Sequence, residues 1–139
     1  IIIQKLYGKF FNNDEQLIFP KHRFKKFIKD VVIGTIERND LILEELDKIL
    51  GDNQTLNKLD KNLGDKFSMN NLDKLFQVIL KSATYEFLYK PNLSMKIIIK
   101  EYLNASNFFL NDSQTKYLNA LLDNVAKKLR SSNAWIPNN

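Results

Sequence analysis

The chain has 139 residues, 44% of them hydrophobic, with 21 Lys and Arg against 16 Asp and Glu, a formal charge of +5, a single His and no Cys. At this length roughly two thirds of the extended surface can be buried, so one core needs no covalent staple. The missing Cys exclude disulfides, thioether haem attachment, thiolate zinc sites and cysteine nucleophiles, and fit a reducing cytoplasm; the lone His22 excludes a polyhistidine metal centre.

Apolar residues recur at helical spacing and hairpin turn pairs are missing, which predicts an all-α fold of about seven helices. Ile2, Ile3, Leu6, Tyr7 and Phe10 fall near one face of a first helix, which Asn12-Asn13-Asp14-Glu15 interrupts. A second helix is expected from Pro20 or Lys21, with Phe24, Phe27, Ile28, Val31 and Thr35 as its inward stripe. Its other face is Lys21, Lys25, Lys26 and Lys29. Gly34 weakens this helix without ending it, and Asn39 and Asp40 can cap the third. That helix turns Ile42, Leu46, Ile49 and Leu50 inward and stops at Gly51-Asp52-Asn53. Leu56, Leu59 and Leu63 support a fourth, with Gly64 and Asp65 suggesting a break, so a subdomain division is expected near 51–70.

Asn70 and Asp73 resemble the cap of a long helix with the stripe Leu72, Leu75, Phe76, Ile79, Ala83 and Phe87. Tyr85, Leu88 and Tyr89 widen its apolar surface, which makes it the central core helix, and Pro91 ends it. Ser94 can cap a sixth helix that aligns Ile98, Tyr102, Ala105 and Phe109. Asp112 or Ser113 can cap a seventh, striped by Leu118, Leu121, Leu122, Val125 and Leu129. Residues 1–130 therefore make one helical domain, and 131–139 an irregular tail. The stripes leave homodimerisation undetermined.

Known catalytic patterns are absent: no glycine-rich phosphate loop, His-Glu-x-x-His, EF-hand or Gly-x-Ser-x-Gly occurs. His22 stands between Lys21 and Arg23, where positive neighbours disfavour an imidazolium, and reads as a surface or boundary residue. Glu86 and Glu101 lie on separate helices with no cleft defined around them. Neither an enzyme, a metal nor a cofactor is expected. No apolar run approaches the 18 or so residues that span a bilayer.

The placement of charge is more informative than its sum. Residues 1–30 carry seven Lys and Arg against three acids, 31–70 five against eight, and 91–139 six against three. Basic ends favour an anionic partner such as nucleic acid. Lys21, Arg23, Lys25, Lys26 and Lys29 supply enough cations for several phosphate contacts, while Phe24 and Phe27 fall on the apolar side and are expected in the core. A second basic area joins Lys96 and Lys100 to Lys116 near helix amino ends. Lys127, Lys128 and Arg130 suit a helix carboxyl end on dipole grounds alone.

The run Ser82-Ala83-Thr84-Tyr85-Glu86-Phe87-Leu88, then Pro91, then Ser94-Met95-Lys96-Ile97-Ile98-Ile99-Lys100-Glu101-Tyr102, resembles the central signature of the NusB family of transcription antitermination factors. Lys116-Tyr117-Leu118-Asn119-Ala120-Leu121-Leu122-Asp123-Asn124-Val125 follows in the family's order and spacing. The amino half is similar more loosely, at Leu6-Tyr7 and from Phe24 to Leu50. The resemblance implies an all-helical, noncatalytic adaptor of about seven helices in two small packed bundles. Such an adaptor binds boxA-type single-stranded RNA, pairs with the ribosomal protein NusE and helps assemble an antitermination complex on RNA polymerase.

By the same resemblance, partner binding draws on Tyr85, Glu86, Lys96 and Glu101, and Asn119 and Asp123 serve architecture or an interface. RNA contacts draw on Lys100 and Lys116 besides the basic stretch from Lys21 to Lys29. Lys116 sits early in a helix, where the dipole does not favour a cation. The family's arginine-rich arm, which would precede Ile1, does not occur in this sequence. Lys100 replaces a family Asn, and Ala120 and Leu110 replace family Gly residues. Two alternatives stay open: a helical interaction module that keeps partner binding with little RNA recognition, and the accessory domain of a longer RNA cytosine methyltransferase.

Overall fold

A helix that is apolar on one side needs a partner, whereas one that is apolar all round needs to be surrounded. The segment Lys74–Tyr89 needs to be surrounded: every residue from Val78 to Leu88 is buried, mostly apolar ones, with Lys81, Ser82, Thr84 and Glu86 among them. The computed structural model describes residues 1–11, 19, 21–51 and 72–130, and among these it contains six helices and no strand. They are α1 (Ile2–Phe11), α2 (Lys25–Glu37), α3 (Asn39–Gly51), α4 (Lys74–Tyr89), α5 (Met95–Ser106) and α6 (Asp112–Arg130). The other five all pack against α4. The expected fourth helix, most of the division near 51–70 and the tail at 131–139 lie outside the described residues.

The main core joins Val31, Ile42, Leu46 and Leu50 to Ile79, Leu80, Ala83 and Phe87 of α4 and to Leu118, Leu121, Leu122 and Val125 of α6. A smaller cluster, Leu6, Ile28, Val32 and Val78, seals α1 and α2 onto the opposite side of α4. Its polar edge is Lys81, whose ammonium lies 4.1 Å from the centre of the Phe10 ring, with its pKa lowered by burial.

The long helices begin where their side chains satisfy backbone N–H groups. Asp73 accepts from the Leu75 amide at 2.9 Å, and Ser94 from the Ile97 amide at 3.1 Å. At α6 the cap is Asn111, not Asp112 or Ser113. Its Oδ1 accepts from the Gln114 amide at 2.8 Å, and Gln114 Oε1 accepts from the Asn111 amide at 3.0 Å, a reciprocal capping box. Asn111→Ala is expected to cost about 1 kcal/mol in chemical unfolding; an unchanged midpoint would show that water replaces the cap.

Two helix limits differ from expectation, and each moves an aromatic residue out of the core. A turn precedes α2, in which the Lys25 amide donates to the His22 carbonyl at 3.0 Å and the Phe24 amide to His22 Nδ1 at 3.0 Å. Helical periodicity therefore starts only at Lys25, and Phe24 is 55% exposed, with the Arg23 guanidinium 5.0 Å from its ring. Likewise α5 ends at Ser106 in a turn closed by the Phe109 amide on the Ser106 carbonyl, leaving Phe109 64% exposed.

Beyond α4 the chain turns sharply, and Arg130 holds that turn. Its guanidinium donates to the carbonyls of Phe87 at 3.2 Å and Lys90 at 3.0 Å, and to that of Leu93. Arg130 thus does more than suit its own helix dipole: it satisfies acceptors at the end of α4 and in the following turn.

Candidate nucleic-acid interface

The helical repeat sorts α2 into two faces. Ile28, Val31, Val32 and Thr35 are buried, and Lys25, Lys26 and Lys29 are exposed, as are Lys21 and Arg23 in the preceding turn. Lys26 and Lys29 form no ion pair among the described residues. Beside them lies a cleft of about 410 Å³ between α2 and α4, lined by Lys26, Lys29, Asp30, Gly34, Arg38 and Tyr85 among others. The carboxylate of Asp30 is already engaged: Lys90 Nζ pairs with it, and the Tyr85 hydroxyl donates to it at 3.3 Å. Burial, then the Asp30 charge, raises the Tyr85 pKa.

Arg38 is the functional candidate that the sequence reading missed. Its guanidinium lies 4.6 Å from the centre of the Tyr89 ring and 5.9 Å from that of Tyr85. The only sequence signal was its place four residues after Gly34, since the rings belong to a distant helix. Lys100 and Lys116 are exposed on α5 and α6, which pack chiefly on each other and on α4 rather than on α2. Asp123 pairs with Lys127 one turn on at 2.9 Å, and Asn119 is exposed.

A second groove, of about 610 Å³, opens between α1, the start of α2 and α5; Ile1, Ile2, Phe24, Phe27, Ile97 and Glu101 are among its lining residues. Glu86 and Tyr102 also line it, joined by a buried chain of hydrogen bonds. The Tyr102 hydroxyl donates to Glu86 Oε2, so its proton is committed and Ser82 Oγ is left to donate to the Tyr102 oxygen. Burial pushes the Glu86 carboxyl up to about 7; the Tyr102 bond and the Lys90 charge oppose the rise and Glu101 adds to it. Burial likewise raises Tyr102 well above the usual phenol range. The four residues named for partner binding therefore do not share one surface. Glu86 and Glu101 border the apolar groove, Tyr85 is buried against the α2 cleft, and Lys96 is exposed on α5.

A central helix enclosed by five others, with a basic cleft on one side and an apolar groove on another, defines a helical domain whose chemistry lies in its surfaces. Among the described residues no His, Asp or Glu cluster is placed to hold a metal ion, and no helix is long and apolar enough to cross a membrane. The NusB family model matches residues 8–127, and the chain belongs to the NusB family. Transcription antitermination protein NusB of Maricaulis maris is 26% identical over 125 residues, covering 81% of this chain and 70% of that protein. The protein of the same name from Rickettsia bellii is 38% identical over 52 residues, but the match spans 37% of this chain and only 33% of the relative. The structure of T. maritima NusB superposes with a TM-score of 0.71 over 91% of this chain and 86% of that one, at 20% identity, a likeness of fold.

Proposed function

We propose that this chain is a noncatalytic transcription antitermination adaptor of the cytoplasm. It binds boxA-type RNA together with the ribosomal protein NusE and helps assemble the antitermination complex on RNA polymerase. The observation that carries the RNA half is the exposed basic face from Lys21 to Lys29, whose lysines at 26 and 29 lack a carboxylate partner among the described residues. Lys100 and Lys116 add charge from α5 and α6. Phosphate contacts of this kind give affinity and register, and base recognition comes from the assembled complex.

A salt-titrated anisotropy assay with boxA-type and scrambled RNA, with and without NusE, tests this reading. The double variant Lys26→Gln, Lys29→Gln is expected to weaken both RNAs alike and to lower the log–log salt slope by about 1.4, roughly 0.7 per lost phosphate contact. Absence of RNA binding in either condition overturns it. The exposed apolar residues bordering the second groove, Phe24 at 55% and Ile97 at 53%, favour an alternative, a module that binds a protein partner alone. NusE binding unaffected by RNA selects that alternative.

A further inference from the structure

We infer that the cleft along α2 is a track for a single RNA strand and that Arg38, held on the faces of Tyr89 and Tyr85, is its second clamp. This rests on the reading of α2 as an RNA-facing helix. It adds a residue, a direction and a length to that reading.

Stacking engages the flat face of a guanidinium and leaves its N–H edge free to donate, and it also fixes the side chain before any ligand arrives. Among the described residues the only carboxylate paired with Arg38 is Glu37, at 4.0 Å, with both side chains substantially exposed at 42% and 66%. That leaves donors for an anion. The carboxylate beside Lys29 is already engaged, because Asp30 is paired with Lys90 and hydrogen-bonded by Tyr85. The cleft thus has cations at both ends and one opposing charge, Glu37.

Spacing selects the ligand. From Lys29 to Arg38 the helix rises ~14 Å, at about 1.5 Å per residue. Cations separated by that rise along the axis suit successive phosphates of an extended strand better than a single phosphate. A grooved track of cations is how single strands are held without base readout.

The test is fluorescence anisotropy with a labelled single-stranded RNA dodecamer, competed by inorganic phosphate, by uridine monophosphate and by a polyglutamate peptide. Arg38→Gln is expected to weaken binding roughly tenfold at low salt and to lower the salt slope by about 0.7. Arg38→Lys keeps the charge but loses the stacked fork, so it should recover only part of that loss. Glu37→Gln should tighten binding about twofold to fivefold by removing a repulsive charge, a gain that damage to the fold does not mimic. Phosphate and the mononucleotide should compete only weakly.

If the Lys26, Lys29 double variant loses affinity while Arg38→Gln and Glu37→Gln change nothing, the track is overturned and the RNA reading of α2 stands. If none of the variants matters, that reading fails as well. Competition by polyglutamate as strong as by unlabelled RNA assigns the cleft to an acidic protein segment and overturns the RNA strand. Should Arg38→Gln melt early, Glu37→Gln alone decides.

Discussion

Glu86→Gln is expected to stabilise the protein by about 3 kcal/mol at pH 8 and by less than about 1 kcal/mol at pH 5. The carboxyl is only 6% exposed, and its pKa stands near 7 against an ordinary 4.5. The folded state therefore prefers the protonated acid, and the unfolded chain holds it ionised at lower pH. A raised carboxyl pKa contributes stability that is fully present below pH 4.5 and is lost as the pH rises through 7. Gln imitates the protonated form at every pH and keeps an oxygen to accept from Tyr102. Urea unfolding at the two pH values reads the effect directly, and parallel pH profiles for parent and variant would refute it. Glu86→Ala should have the opposite sign at pH 5, because it removes the Glu86 acceptor of the buried Tyr102 hydroxyl and leaves a cavity beside it.

Gly34→Ala is expected to destabilise by about 3 kcal/mol, although alanine is the better helix former by about 1 kcal/mol. The cause is close approach: a Cβ at this position would overlap the Tyr85 ring and its hydroxyl. That ring has no easy retreat. It is 5% exposed, packs at a tilt against Tyr89 with 5.0 Å between centroids, and is hydrogen-bonded to Asp30. The double variant Gly34→Ala, Tyr85→Ala should then lose much less than the sum of the single changes, since removing the ring removes the clash. A Gly34→Ala protein as stable as its parent would show that the ring shifts freely.

These two positions show what the sequence made legible and what it left out. The apolar stripes of α3, α4 and α6 named the buried residues well, because burial follows the helical repeat whatever the partner is. Ser94 was readable as a cap for the same local reason. Phe24 and Phe109 were misplaced by the same stripe logic, because each lies just past a helix limit, where periodicity no longer applies. Gly34 looked like a weakness in a helix; its value as a notch for Tyr85 comes from α4 and has no local signature. The same holds for Arg38 over Tyr89 and for Glu86 under Tyr102, both made by helix pairing. The basic face of α2 was legible as charge, but the cleft that gives it a direction was not.

The Arg130 clamp also sets an order of events during synthesis. The carbonyls it satisfies lie 37 to 43 residues earlier in the chain, so the corner after α4 stays unfinished until the last turn of α6 has been made. The central helix meanwhile lacks the α6 side chains that enclose it, and its apolar surface is open to chaperones or to wrong partners. Completion of this core is accordingly a long-range step that waits on the arrival of α6.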